Sequence, residues 1–244
     1  MQTIYYDGTF EGFLTLLYRY VHQQIPIDEI IIKNSRLHSS ELDLFSFQIS
    51  TEIETAKKYY KYLSSKLPKE VFRKIYLYYL CDSAEIEDAL MRVLRQSYEN
   101  PSIWYTLDLD IVKLNNAERM FRREKHRWLG FLRFTELPNK VLFAKFEPKF
   151  NVLPKLWFHF VKRLPNEKII IFDSLRKLLF ANSGKYSRLL WADGFEVEIS
   201  SEIDTFITLW QRYFKDIAIP ERLSYERQRN RLPLRFRRFL SEFT

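Results

Sequence analysis

The apolar residues of this chain change their spacing at its midpoint, and that change constrains the fold more than any other feature. Through residue 127 they recur every three or four positions; from Trp128 onward short runs alternate instead. A repeat near 3.6 buries one stripe of a helix, whereas a repeat of two buries one face of a strand. An α+β protein follows, with a mainly helical part at 1–127 and hairpins alternating with helices at 128–244, the two expected to form one compact unit.

Within the first part, QTIYY at residues 2–6 reads as a short strand, and Asp7-Gly8-Thr9 as a turn and helix cap. Phe13, Leu16, Leu17, Tyr20 and Val21 then hold helical spacing, and Ile30–Lys33 is a further candidate strand. Thr51 and Glu54 form a capping-box pattern, Pro68 opens a helix ending near Cys81, and Asp82 or Ser83 caps another through Tyr98. Asp108 or Asp110 starts a last one that ends in the charged run RMFRREKHR.

In the second part, LGFLRF and VLFAKF flank the polar turn TELPNK as one hairpin, and KIIIFD with KLLFAN makes a second. Asn151 is placed to cap VLPKLWFHFVKRL, with Pro154 in the first turn, where no hydrogen bond is lost. FEVEI adds a candidate strand, and Ser200 or Ser201 begins SEIDTFITLWQRYFKDI. The expected result is an antiparallel sheet in the order hairpin, helix, hairpin, helix, followed by a basic helical tail. Leu156-Trp157, Phe160 and Lys162 recur as Leu209-Trp210, Tyr213 and Lys215, an echo that duplication or plain amphipathicity explains.

Only 5 Gly and 9 Pro stand against 21 Phe and 15 Tyr, so long regular elements joined by short turns are expected. The net charge is +8, and residues 220–244 supply half of it through seven arginines and three glutamates. A polyanionic partner suits such a bias. The tail interleaves arginines with Tyr225, Phe236 and Phe239, which fits phosphate contacts plus base stacking, or equally a basic helix packed down by its aromatics.

One cysteine, Cys81, excludes an internal disulfide and multi-cysteine metal sites. Neither His126 nor His159 has a second His or Cys at ligand spacing, so no metal or cofactor is expected. The opening segment lacks a basic stretch followed by an apolar run, and no run reaches bilayer length; a cytoplasmic protein without membrane contact is expected.

On a helical wheel Leu153, Leu156, Trp157, Phe160 and Leu164 form a buried stripe, with His159 and Arg163 half-buried at its margin. Asp173 and Arg176 follow on the next strand and turn. Together the four suit either a phosphate-binding or acid/base cluster, or a structural ion-pair network at a helix–sheet seam.

Six segments, YDGTFEGFL, E-x-HRWLGFLRF, EPKFNVLPKLWFHFVKR, IIIFDSLRK, LWQRYFKDIAIPER and Q-x-x-x-LPLRF, together resemble a bacterial family of DNA metabolism or repair proteins whose C-terminal part is a domain of unknown function. The resemblance covers both ends and most of the second half. It implies a DNA-binding accessory of a repair or modification system, a radical-SAM protein as partner, and kinship with domains fused to uracil-DNA glycosylases. The matching polar positions are Asp7, Gly8, Glu124, Arg133, His159, Arg163, Asp173, Arg176, Glu221, Arg222 and Gln228.

The resemblance assigns phosphate contacts to Arg163, Arg176 and Arg222, and proton transfer or base recognition to His159 with Asp173, Glu124 being a further catalytic candidate. Arg133, Gln228, Arg235, Arg237 and Arg238 complete the expected nucleic-acid contacts. Three positions depart from the family pattern: Ser224 replaces Asn, Leu234 follows the proline, and Arg237 replaces Trp. Two rival readings remain: an enzyme acting on nucleic acid through His159 and Asp173, and an interaction subunit of the radical-SAM protein that never contacts DNA.

Overall fold

The computed structural model describes residues 2–22, 30–36, 46–137, 140–195, 205–216 and 224–243. The chain is α+β and divides into two compact units, Met1–Arg123 and Glu124–Thr244.

The first unit is built on a three-stranded parallel sheet. Strand β1 (Gln2–Tyr6) lies between β2 (Ile30–Asn34) and β3 (Ser46–Gln48), with Ile4 opposite Ile32 and Phe47. Parallel neighbours need a crossover, and α1 (Phe10–Val21) provides the one from β1 to β2. The expected turn and cap form: Thr9 accepts from the Gly12 amide at 2.9 Å, and Asp7 accepts from the Thr9 amide at 2.9 Å and its hydroxyl at 2.6 Å. Gly8 has φ +76°, and a β-carbon there would stand 2.3 Å from Asn34 Oδ1, so both backbone and space require glycine.

Four helices follow: α2 (Ile53–Lys66), α3 (Lys69–Leu80), α4 (Ala84–Glu99) and α5 (Leu109–Phe131). Residues 51–127 are thus helical almost throughout, as their spacing predicts. The Thr51/Glu54 capping box does not form. Thr51 instead donates to the Asp7 carboxylate at 2.7 Å, Glu52 takes the cap position, and Glu54 pairs with Lys57 at 2.9 Å. The box fails because α2 begins at Ile53, which puts Thr51 one residue ahead of the cap position.

In the second unit β4 (Thr135–Leu137), β5 (Val141–Phe146), β6 (Lys168–Asp173), β7 (Leu178–Asn182) and β8 (Ser187–Trp191) form one sheet in that order. The two expected hairpins are present, with one strand displaced. LGFLRF is not a strand: α5 runs through Phe131, and the first hairpin pairs β4 with β5. Buried positions 111, 114, 117, 121, 124 and 128 keep helical spacing along α5. Trp128 packs edge-on against Phe146, Phe236 and Phe239, with ring centroids 5.0, 4.7 and 5.5 Å away. Six residues alternate too briefly to overrule such packing.

The sheet is mixed rather than wholly antiparallel. β5 and β6 run parallel, Phe146 opposite Asp173, because α6 (Leu153–Arg163) crosses between them. Leu153, Leu156 and Phe160 of α6 are buried, and Trp157 stacks on Phe180 of β7 at 4.8 Å. Phe143, Phe172 and Leu179 fill the core on the other side, with Leu137, Ile170 and Phe195 against them. Asn151 does not cap α6. Val152 holds that position, and the buried Asn151 side-chain oxygen has no hydrogen-bond partner among the described residues. Strand β8 arises outside the two expected hairpins; of FEVEI only Phe195 is described, and residues 196–199, Ser200 and Ser201 lie outside the described residues. The unit closes with α7 (Thr205–Asp216), α8 (Tyr225–Arg231) and the short α9 (Leu234–Arg237).

Candidate nucleic-acid interface

The tail of the second unit divides into an anchored half and an exposed half. In the anchored half Phe236 is fully buried against Trp128 and Phe131, and Phe239 also rests on Trp128. The arginines around Phe236 are engaged within the unit. Arg235 pairs with buried Glu124 at 3.1 Å and lies over the Phe236 ring. Arg237 donates to Gln228 Oε1 at 3.1 Å and lies over Phe243, while its buried Nε has no partner among the described residues. Arg238 pairs with Glu147 and covers Phe239. Arg237 thus packs on an aromatic ring.

Helix α8 is the opposite case. None of its residues is buried: Tyr225 is 81% exposed, and Arg227, Arg229 and Arg231 all face solvent. Among the described residues no carboxylate lies within ion-pair distance of these three arginines. Ser224 caps the helix by accepting from the Arg227 amide at 3.4 Å. Helix α7 adds an exposed aromatic pair, Trp210 and Tyr213, with centroids 5.8 Å apart and Lys215 exposed beyond them. It is tied to the tail where Gln211 Nε2 donates to the Ser241 carbonyl at 2.7 Å.

The candidate acid/base residues serve a different arrangement, a clamp on the loop between β5 and α6. Glu124 on α5 accepts from the amides of Lys149 and Phe150 at 2.8 and 3.2 Å. From the turn after β6, Arg176 donates to the carbonyls of Pro148 and Lys149 at 2.9 and 2.7 Å and to Asp173 at 3.2 Å. Asp173 also accepts from the amides of Leu175 and Arg176. Burial pushes its carboxyl up to about 6, against the Arg176 charge and these hydrogen bonds. Ser174 donates to Glu147 at 3.0 Å, completing a loop held from both ends.

His159 and Arg163 stand apart from that clamp. Both are exposed rather than half-buried, because each residue of an α-helix advances about 100°, which turns His159 well away from buried Phe160. The described ring contact of His159 is edge-on to Phe160 itself. Arg133 donates to the Gly130 carbonyl at 2.8 Å and to Glu242 at 2.6 Å. Burial alone would raise the Glu242 carboxyl, but the Arg133 hydrogen bond and charge outweigh it and hold the group below its usual value. Glu221 and Arg222 lie outside the described residues.

Sequence reasoning thus placed the arginine tail but singled out its anchored members. Spacing separates the halves: ERQRNR has no apolar residue to bury, whereas LPLRFRRFL does. Glu147 was missed, since nothing in EPKF marks its glutamate as a partner for Arg238.

These features describe an α+β protein whose second unit carries an exposed, arginine-rich helix beside an aromatic anchor. Residues 84–242, more than half of the chain, match the family model described as a domain of unknown function, DUF4130, and the chain belongs to that family. No curated protein matches the chain. Among the described residues no helix is long and apolar enough to cross a membrane, and no group of three or more His, Cys, Asp or Glu is arranged to hold a metal ion.

Proposed function

We propose that this protein binds nucleic acid through α8, as a DNA-binding accessory of a repair or modification system. One observation carries the reading: Arg227, Arg229 and Arg231 are exposed and unneutralised while the arginines just beyond them are engaged inside the fold. Arg227 and Arg231, four residues apart, share one line of α8, where exposed guanidinium groups are suited to backbone phosphates, and Tyr225 offers a ring for stacking. DNA as the nucleic acid, and a radical-SAM protein as partner, are the part of the proposal that rests on the family resemblance.

Fluorescence anisotropy with labelled DNA at several salt concentrations tests it. The wild-type protein binds with salt-dependent affinity, and each phosphate contact contributes about 0.9 to the slope of log K against log salt for duplex. An Arg227/Arg229/Arg231→Ala variant flattens that slope without loss of stability. No binding by the wild type at physiological salt overturns the proposal in favour of a pure interaction subunit. Turnover of DNA abolished by His159→Ala would replace it with the enzyme reading.

A further inference from the structure

The first unit carries its own aromatic and basic surface, remote in sequence from α8. Tyr59 of α2 is buried and stacks on Tyr62 at 6.1 Å and 12°, and Tyr62 stacks on Tyr98 of α4 at 5.8 Å and 14°. The three rings form one cluster, Tyr98 meeting Tyr59 as well as Tyr62 through their hydroxyls, and it opens to solvent at Tyr62 (36% exposed) and Tyr98 (40%). His22 meets the same cluster edge-on, 6.5 Å from both Tyr59 and Tyr98.

Helix α2, which carries Tyr59 and Tyr62, also carries lysines, two of them in the field of Glu54. Lys58 and Lys66 lie four residues before and after Tyr62, so the three share one line along α2. Lys61 is exposed on the same helix. Lys57 is paired with Glu54, but Lys58, Lys61 and Lys66 have no carboxylate within ion-pair distance among the described residues. A lysine-bearing face is by itself ordinary solvated surface. A cluster of near-parallel rings that is half-open on a lysine-bearing helix is not, because exposed ring area costs free energy that a stacked base would recover.

We propose that this surface binds single-stranded nucleic acid, an unpaired base extending the stack at Tyr98 while Lys58, Lys61 and Lys66 hold the phosphates beside it. The proposal rests on the reading that the chain binds nucleic acid and adds the class of ligand. Duplex interior does not fit it, because bases stacked between neighbouring pairs offer no free face.

The test uses the full chain, labelled oligothymidylate and a duplex of equal length. Tyr98→Leu weakens single-strand binding by roughly tenfold, the scale of one lost base–aromatic stack, and leaves duplex binding unchanged. Photocrosslinking of wild type to an oligonucleotide carrying 5-iodouracil, mapped by mass spectrometry, places an adduct on Tyr98 or Tyr62 whatever the variant's stability. Single-strand affinity unaffected by Tyr98→Leu, an equal loss on duplex, or adducts confined to other residues overturns the inference and leaves binding through α8 standing. Failure of the wild type to bind any nucleic acid removes both.

Discussion

The buried carboxyl of Glu87 gives the sharpest check on the physics of the first unit. Its side chain is 2% exposed and accepts a hydrogen bond from the Tyr6 hydroxyl at 2.8 Å. Burial raises its pKa from 4.5 to about 8; the Tyr6 hydrogen bond opposes the rise, and the charges of Asp82 and Asp88 add to it. At neutral pH the folded protein therefore keeps a proton that the unfolded chain has lost. Stability from this group is complete below about pH 4.5, falls as pH rises, and levels off above about pH 8. At 1.36 kcal/mol for each unit of pH, the whole loss is about 5 kcal/mol, of which about 3 falls between pH 6 and pH 9.

Glu87→Gln reproduces the shape of the protonated acid, keeps an acceptor for Tyr6 and does not titrate. Urea unfolding of both proteins at pH 6 and pH 9, with the difference between them taken at each pH, cancels every other titrating group. The variant should gain about 3 kcal/mol on wild type across that interval. Parallel pH dependence of the two proteins would show that Glu87 is ionised in the fold and that the argument from its burial is wrong.

Phe236→Ala should cost roughly 3–5 kcal/mol, since the ring is fully buried against Trp128 and Phe131; a chemical denaturation curve superimposable on wild type would contradict the anchoring of the tail. Arg176→Met leaves Asp173 buried without its cation and the Pro148 and Lys149 carbonyls without that donor, a loss of roughly 3–5 kcal/mol, whereas exposed His159→Ala should stay within about 0.5 kcal/mol. Equal effects of the two substitutions would refute the clamp. Burial, reinforced by the nearby carboxylates of Asp82, Glu118 and Glu87, pushes the Cys81 thiol up to about 12. Alkylation of the native protein at pH 8 should accordingly proceed no faster than the thiol is exposed by opening, and stoichiometric labelling within the mixing time would count against its burial.

Elements whose signal is local were legible in the chain. The DGT turn and Thr9 cap, the helices of 51–127, the β6–β7 hairpin and Pro154 in the first turn of α6 all depend on residues within a few positions of one another. The candidate site was legible only in part. Arginine density marked the tail, but whether an arginine meets solvent or a carboxylate depends on what the fold brings beside it: Glu124 reaches Arg235 across 111 residues of sequence, and Glu147 reaches Arg238 across 91. Asp173 and Arg176 were recognisable as a pair, yet their joint hold on the loop at 148–149 was not, because its acceptors are backbone carbonyls that any residue supplies.

By itself, then, the sequence determined the α+β class, the order of most elements and the concentration of positive charge at the C-terminal end, since periodicity, capping and composition act over one or two turns of chain. Tertiary structure alone decided that α5 continues through LGF, where Trp128 meets three aromatic rings, and that β5 and β6 run parallel, where α6 crosses over. It also decided which arginines remain exposed, because burial and ion pairing belong to the packed arrangement and leave no mark on the residues that will enter it.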